Sequence, residues 1–282
     1  MPRFSRLIRF QAADSDEIYF ADLGVDMLEA PKPGSKINAH KSFDELGSGK
    51  AFEVTLGKLL APLPYLGVPI YCVGMNYRTH AEEAKLPIPK NPPLWTKPVT
   101  SLADPDEDIP MNTFCASSLP DYEGELTFIT SKECKDISPA EAESCILGYT
   151  AGNDISCRMF QMPDQCGGQF FFAKAFDKFA PIGPTLISPE VFKKGEGFKL
   201  ITRVNGEVMQ DSEFMKDLIW GPAKILSRMS QGTTIPRGTA VMTGTPSGVG
   251  AFRKPRYFLK NGDVVEVEIS NIGILRNKIA FS

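Results

Sequence analysis

The amino-acid sequence predicts an α+β protein that is mainly β. Short β-forming runs recur along the whole chain, whereas only three stretches show a helical pattern, at 80–85, 139–145 and 218–229. Turn signals bound the β-forming runs, and the Asn205-Gly206 pair is typical of a tight hairpin. The predicted strands are 7–10, 18–23, 52–56, 70–73, 121–129, 148–154, 199–204, 240–242, 264–269 and 273–279.

The chain is interpreted as a small N-terminal β domain, residues 1–65, followed by a main domain, residues 66–282. Proline and glycine turns separate the first strands, and residues 60–64 have the composition of a linker. Residues 86–120 contain eight prolines and are predicted to form a long loop. A loop of that length inside a compact domain is usually functional, often as a lid.

Two of the predicted helices have recognisable starts. Ser138 precedes 139–145 as an N-cap, and Glu141 stands where a capping box needs an acidic partner. The longest helix, 218–229, contains Pro222, which is tolerable only in the first helical turn.

The composition excludes several classes of protein. A net charge of −3 gives no general attraction to nucleic acid or to anionic membranes. No apolar run approaches the roughly 20 residues that span a bilayer, so we expect a soluble protein. The basic start lacks the apolar core of a secretory signal, and acidic residues follow too soon for a mitochondrial presequence. Six cysteines without a CxxC pair indicate reduced thiols, so a cytoplasmic location is expected, with a mitochondrial one as the alternative.

Three carboxylates at alternate positions, Asp121, Glu123 and Glu125, are the most informative feature of the chain. Side chains alternate along a strand, so all three are predicted to project to one side. Like charges crowded in this way repel unless a cation lies among them, and a divalent ion with oxygen ligands would meet that need. The alternative is an ordinary solvated strand face.

A metal at this position would have oxygen ligands. With only two histidines, His40 and His80, a histidine-rich zinc site is excluded, which favours Mg²⁺ or Mn²⁺, with Ca²⁺ also compatible. Asp154 ends the apolar run 148–154 and would complete three carboxylates around an octahedral ion. Its alternative role is that of a turn former.

Lys174 and the pair His80 and Glu83 are further candidates. Lys174 follows an apolar run, so its ammonium either reaches out to water or is held inside for a substrate carboxylate or enolate. His80 and Glu83 are three residues apart, hence on one face of a helical turn, where a carboxylate can orient an imidazole as a general base. The alternative is a pair at the surface.

The segment 243–250 is a glycine-rich loop after an apolar strand. It is not a phosphate-binding Walker loop, because no Gly-Lys-Ser/Thr follows. Its backbone N–H groups and the Thr245 hydroxyl can be presented to an anion. A generic turn would need fewer of its glycines.

Taken together and in this order, the motifs resemble the C-terminal catalytic domain of the fumarylacetoacetate hydrolase superfamily over about residues 70–282. The N-terminal 65 residues are similar to the smaller, variable β domain of that family. The matching segments are 74–83, 121–126, 148–154, Ser156-Cys157-Arg158 with Gln161, Lys174 with Asp177, 204–206 with Gln210, and 243–250.

The resemblance implies a role for each matching residue, and it implies a mixed β-roll or sandwich that forms homodimers. Asp121 matches the motif as a structural neighbour of the metal ligands. The metal ligands would be Glu123, Glu125 and Asp154. The pair that activates water would be His80 and Glu83. The groups that act on the substrate would be Lys174, Arg158, Gln161, Thr245 and Gly244.

The implied activity is metal-dependent hydrolysis of a carbon–carbon bond in an acylpyruvate or similar β-diketo acid, through a metal-stabilised enolate. The retained His80 and Glu83 favour this reaction, because hydrolysis needs an activated water. The same site would also support an oxaloacetate tautomerase or decarboxylase, or a 2-hydroxydienoate isomerase. A remote alternative is a metal-binding protein without catalytic activity.

Overall fold

The computed structural model describes residues 3–193 and 198–282. The strands are β1 (Arg6–Ala12), β2 (Ile18–Asp22), β3 (Lys36–Ala39), β4 (Phe52–Leu60), β5 (Ile70–Val73), β6 (Leu94–Lys97), β7 (Leu102–Ala103), β8 (Ile109–Met111), β9 (Pro120–Asp121), β10 (Gly124–Thr130), β11 (Ile146–Asn153), β12 (Ser156–Cys157), β13 (Ala180–Ile187), β14 (Leu200–Val204), β15 (Glu207–Ser212), β16 (Ala240–Met242), β17 (Val264–Ile269) and β18 (Gly273–Phe281). The helices are α1 (Arg78–Ala84), α2 (Thr113–Ala116), α3 (Pro139–Glu143), α4 (Pro163–Cys166), α5 (Phe171–Lys174), α6 (Pro189–Lys193), α7 (Phe214–Asp217) and α8 (Pro222–Met229). The prediction of a mainly β protein is confirmed.

Two mixed sheets carry the fold. The larger has the strand order β3-β4-β1-β13-β11-β10-β16-β5-β6, with β2 and β7 attached at β1 and β13. The smaller has the order β15-β14-β17-β18-β8, and β9 pairs separately with β12. Because β1 pairs with β13, the N-terminal strands extend the larger sheet. The division of the chain at residue 65 therefore remains a prediction. No helix in the described ranges has the length and apolarity needed to cross a membrane.

The predicted hairpin and the predicted start of helix α3 are both present in the structure. Asn205 and Gly206 both have positive φ, as a tight hairpin requires, and they join β14 to β15. Ser138 and Glu141 form a full capping box at the start of α3. The helix predicted at 218–229 begins only at Pro222, because proline in the first turn loses no helical hydrogen bond.

The prediction of a long loop over residues 86–120 is wrong. The segment contains β6, β7, β8 and α2, and its longest stretch without regular structure is the one before Leu94. Prolines misled the prediction because edge strands tolerate them. Pro110 lies in β8, the edge strand of the smaller sheet, and Pro98 directly follows β6, an edge strand of the larger.

Strand β10 runs through the centre of the molecule with all seven residues buried. Leu126 and Phe128 pack in one cluster with Val267 of the smaller sheet and Ile225 of α8. Ile129 belongs to a second cluster on the other side of the larger sheet. The alternative of a solvated face for the acidic strand is therefore wrong, and the carboxylates of this segment lie inside the protein.

Gly124→Ala tests how closely the smaller sheet packs on β10. A Cβ at this glycine would collide with Thr202 Oγ1 and come within 3.2 Å of Gln210 Oε1. Overpacking of this kind costs about 1–3 kcal/mol of unfolding free energy, measured by chemical denaturation. The control is Gly221→Ala at the N-cap of α8, where a Cβ meets no atom within 4 Å and φ is −71°, so that only the smaller cost of alanine at an N-cap is expected. Equal stability of the two variants would contradict the packing of Thr202 on β10.

Candidate active site

Three predicted metal ligands come together at one end of the larger sheet. Glu123 directly precedes β10, Glu125 is its second residue, and Asp154 directly follows β11. The strands pair antiparallel with Glu125 opposite Gly152, so the start of one meets the end of the other. Each residue offers a carboxylate oxygen, and these lie within 4.8 Å of one another. Their exposed fractions are only 6%, 1% and 0% respectively.

Lys174 lies between two of these carboxylates. Its Nζ donates hydrogen bonds to Glu123 Oε2 at 3.0 Å, to Asp154 Oδ2 at 2.7 Å and to Ser156 Oγ at 2.7 Å. The side chain is 1% exposed, so the alternative of an ammonium that reaches out to water is wrong. The structure also shows that Asp154 is more than a turn former, since its carboxylate is part of this cluster.

A second buried lysine, Lys97 at the end of β6, was missed by the sequence analysis. Its Nζ lies 2.6 Å from Asp154 Oδ1 and donates hydrogen bonds to the carbonyl oxygens of Ile155 and Phe179. The residue fell inside the segment taken for a loop. The one available signal was its place at the end of the β-forming run Leu94–Lys97.

Arg158 connects the cluster to Asp121. Its Nε donates to Asp121 Oδ2 at 2.7 Å, and its Nη1 lies 2.5 Å from Glu123 Oε1 and 3.0 Å from Gln161 Oε1. Asp121 also accepts the Gly250 N–H, which supports its interpretation as a structural neighbour. The Arg158 Nη2 atom is buried and has no hydrogen-bond partner in the described chain, so a donor remains available.

Glu125 is the one carboxylate of the cluster that forms no ion pair among the described residues. Burial raises the pKa of Glu125 well above its ordinary value, and the nearby Asp154 and Glu123 carboxylates raise it further. Burial also acts to raise the pKa of Glu123, but the positive charges of Lys174 and Arg158 outweigh this effect and lower the pKa of Glu123 to about 2. Glu125 is therefore the carboxyl that lacks a compensating positive charge, and without a bound cation its ionised form is disfavoured.

The donor set fits a divalent cation. Glu125 Oε2 accepts the Gly244 N–H at 2.7 Å, whereas Oε1 is buried without a hydrogen-bond partner in the described ranges. An orphaned carboxylate oxygen beside the carboxylates of Glu123 and Asp154 is the environment that a hard cation with oxygen ligands requires. These three residues could bind a metal ion, and their oxygens suit Mg²⁺ or Mn²⁺.

The glycine-rich loop 243–250 presents its N–H groups to anions, and these anions belong to the protein itself. The N–H of Gly244 is donated to Glu125, that of Gly248 to Glu83, and that of Gly250 to Asp121. Gly244 has φ +93° and Gly248 has φ +102°, conformations that favour glycine. The predicted contact between Gly244 and the substrate stays a prediction. The N–H of Gly244 already has an acceptor in Glu125.

Gln210 holds Thr245 in place beside the acidic segment. Its Oε1 accepts the Gly124 N–H at 3.0 Å and its Nε2 donates to Thr245 Oγ1 at 2.7 Å. The Thr245 hydroxyl in turn donates to the Gly124 carbonyl at 2.9 Å. The sequence analysis found Gln210 within a motif but gave it no role.

His80 is buried and its partner Glu83 is half-buried, so the alternative of a pair at the surface is wrong. His80 Nδ1 lies 2.8 Å from Glu83 Oε1, and both Glu83 oxygens accept the Gly248 N–H. The ring nitrogen that faces a carboxylate carries the proton, which leaves Nε2 of His80 as an acceptor.

A cavity of about 450 Å³ contains most of the predicted site residues. Ligand sites of proteins typically have volumes of about 300–1,000 Å³. The lining also includes Trp95, whose ring centroid lies 5.1 Å from Lys174 Nζ and which the sequence analysis missed. A larger groove of about 980 Å³ lies beside the N-terminal strands and includes none of the predicted site residues. The predicted residues in the cavity lining are His80, Glu123, Arg158, Gln161, Lys174 and Thr245.

Comparisons with known proteins identify the family of this chain. Residues 69–280 match the family described as fumarylacetoacetate (FAA) hydrolase C-terminal. The oxaloacetate tautomerase YisK of Bacillus subtilis is 33% identical over 97% of this chain and 93% of its own. The mitochondrial oxaloacetate tautomerase FAHD2A of Bos taurus is 37% identical over 74% of this chain, and the match spans 66% of that protein, just under two thirds. The crystal structure of 2-hydroxyhepta-2,4-diene-1,7-dioate isomerase from Mycobacterium marinum superposes with a TM-score of 0.76 at 29% identity, covering 99% of both chains.

Glu125→Gln tests the charge imbalance without any assay of activity. With its pKa raised, Glu125 binds more protons in the folded than in the unfolded chain, so without metal the wild type loses stability as pH rises above the usual glutamate range. At about pH 8 in EDTA, the variant should be more stable by about 1 kcal/mol, or about 2–4 °C in thermal unfolding. It should also lose the stabilisation that excess Mg²⁺ gives the wild type.

The matched control is Glu82→Gln, since Glu82 is exposed on the same helix as the His80 pair. It should behave as the wild type in EDTA and in Mg²⁺. If Mg²⁺ stabilises Glu125→Gln as much as the wild type, Glu125 is not a ligand.

Proposed function

This chain belongs to the fumarylacetoacetate hydrolase family, and from that premise we propose that it is an enzyme that interconverts the keto and enol forms of oxaloacetate. The relative that matches nearly its whole length is named an oxaloacetate tautomerase. One structural observation carries the proposal: the Lys174 ammonium is fixed in the cavity wall beside carboxylates that can hold a cation. Keto–enol conversion of a 2-oxo acid places negative charge on its 2-oxygen, and two positive groups beside that atom would stabilise it.

Arg158 is proposed to receive a substrate carboxylate. Its Nε and Nη1 are held by Asp121, Gln161 and Glu123, so the guanidinium is fixed in orientation before the substrate arrives. The Nη2 donor of Arg158 can then bind a substrate carboxylate without a further loss of freedom in the arginine side chain. Gln161 and Thr245 line the same cavity and are proposed as further substrate contacts.

Glu123, Glu125 and Asp154 would hold the divalent cation, for which we propose Mg²⁺, with Mn²⁺ as the alternative. When bound, such a cation supplies electrophilic polarisation of a keto oxygen. Glu125 contributes the carboxylate whose charge has no other partner among the described residues.

Lys174 acts in this scheme as a permanent positive charge. Its three N–H groups are donated to Glu123, Asp154 and Ser156, and the carboxylates of Asp154 and Glu123 raise its pKa in spite of its burial. It therefore does not serve as a base. His80 Nε2 is the acceptor that faces the cavity, so it is proposed to take the proton from C3 of the keto form while the 2-oxygen gains one.

The test is a direct assay of oxaloacetate, followed by the absorbance of its enol. The wild type should accelerate enol loss in Mg²⁺ and not in EDTA. Lys174→Met should lower kcat by about 10²–10³, the effect of removing one electrostatic contact from a developing oxyanion. Lys224→Met, an exposed lysine on helix α8, is the control and should keep wild-type activity. Absence of any acceleration by the wild type, or full activity of Lys174→Met, would contradict the proposal.

Hydrolysis of acylpyruvates is the second candidate, and the contact between His80 and Glu83 favours it. In this reaction, His80 Nε2 would take a proton from water, whose oxygen forms a bond to the distal carbonyl carbon. Cleavage of the bond to C3 then releases pyruvate and a carboxylic acid. Glu83 is held by the Gly248 N–H, so the base would be oriented by the same loop that contacts Glu125.

His80→Ala separates the two reactions. Acetylpyruvate hydrolysis should fall by about 10²–10⁴, the usual contribution of a general base. Oxaloacetate tautomerisation should fall much less, because the C3 protons of oxaloacetate are more acidic than those of water and can pass to a solvent base when His80 is absent. His40→Ala removes the other histidine of the chain and serves as the control in both assays. Equal losses in the two reactions would contradict a role of His80 in water activation.

A further inference from the structure

The cavity is larger than the substrate of the proposed function requires. It measures about 450 Å³. The share of liquid volume taken by one water molecule is about 30 Å³, so the cavity has room for about 15 non-hydrogen atoms at that density. Oxaloacetate has nine. A substantial part of the cavity would remain unfilled around a four-carbon diacid.

The unfilled part has a distinct chemistry. Charged groups in the lining, Glu123, Arg158 and Lys174, form one ion-paired group, and Gln161 is bonded to Arg158. Most of the remaining lining residues are apolar. Five of them, Leu86, Pro87, Pro89, Phe170 and Phe252, are called the apolar wall here.

Aromatic contacts place the apolar wall next to the reacting groups. The ring of Phe170 lies 5.9 Å from that of Trp95, which itself lies 5.1 Å from Lys174 Nζ. On the other side, the Phe252 ring lies 5.9 Å from the ring of His80. A substrate held at Lys174 and reached by His80 would therefore extend its distal group along this wall.

The wall is exposed and carries no charge. Leu86 is 52% exposed and Phe252 is 43% exposed, so an apolar ligand group would remove apolar surface from water. Among the described lining residues, Arg158 and Lys174 supply the cationic charge, and both are already paired with carboxylates. A second carboxylate far from C2 would find no cation on this wall.

We propose that the enzyme accepts 2-oxo acids that carry an apolar group, aromatic or branched, on C3, and that it handles them better than oxaloacetate. This inference rests on the proposed keto–enol activity and names the substrate class of the same site. The reaction is unchanged: a proton leaves C3, the carbon–carbon double bond forms as the carbonyl π bond opens, and a proton is added to the 2-oxygen. No oxidant or further reactant takes part.

Phenylpyruvate is the probe, and its enol is followed by absorbance in Mg²⁺, beside oxaloacetate and after subtraction of the uncatalysed rate. The wild type should give a kcat/KM for phenylpyruvate at least tenfold higher than for oxaloacetate. Leu86→Ser should lower the ratio of the two kcat/KM values by about tenfold, the usual effect of losing apolar contact in a pocket. Leu94→Ser should leave the ratio unchanged, because Leu94 is 40% exposed in the same region but does not line the cavity.

The outcomes distinguish this inference from the proposed function. If oxaloacetate is turned over and phenylpyruvate is not, or if Leu86→Ser leaves the ratio unchanged, the inference is wrong and the proposed function stands. If phenylpyruvate alone is turned over, the inference is supported and oxaloacetate is the wrong substrate. If neither is turned over, both are wrong.

Discussion

Uncompensated negative charge at the junction of β10 and β11 is the constraint on which the site depends. Four buried carboxylates meet there, Asp121, Glu123, Glu125 and Asp154, and three buried cations face them, Lys97, Arg158 and Lys174. Burial of each ion costs several kcal/mol unless attraction to a partner group compensates for the lost hydration. Each of these carboxylates except Glu125 forms an ion pair with one of the cations. A bound divalent cation would supply the positive charge that Glu125 lacks. The same imbalance thus costs stability and creates affinity for metal.

The surrounding structure is arranged to keep this cluster in place. The N–H groups of the loop 243–250 hold Glu125, Glu83 and Asp121, so one loop connects the metal ligands with the His80 pair. Gln210 attaches the smaller sheet to the same region through Gly124 and Thr245. Because these contacts use backbone groups and short side chains, the cluster has little freedom to relax. A rigid arrangement is what electrostatic stabilisation of a developing charge requires.

The parts of the site that could be predicted are those that depend on local geometry. Alternation predicts Glu123 and Glu125 side by side, and this holds although the predicted strand 121–129 is divided into β9 and β10, with Asp121 in β9. Asp154 joins them as the acid that follows a strand, and helical spacing brings His80 to Glu83. The parts that could not be predicted depend on the path of the chain between elements. Trp95 reaches the cavity and Lys97 reaches Asp154 only because residues 94–97 form an edge strand, which a proline-rich composition obscured. The partners of Lys174 likewise follow from sheet pairing rather than from its apolar neighbours in sequence.

The charged side and the apolar wall of the cavity are formed by different parts of the fold, and this affects which of them can accept substitutions. The charged side consists of Glu123, just before β10, Arg158, just after β12, and Lys174, the last residue of α5. All three are buried and ion-paired, so a substitution there disturbs a buried charge cluster. The apolar wall is carried partly by the irregular stretch before β6, where Leu86 is 52% exposed. Chemistry at C2 and C3 therefore depends on buried, ion-paired groups, whereas the choice of the group attached to C3 depends partly on exposed side chains, where substitutions usually cost little stability. A family with one such site can retain one reaction at its metal ligands and differ in substrate through this wall alone.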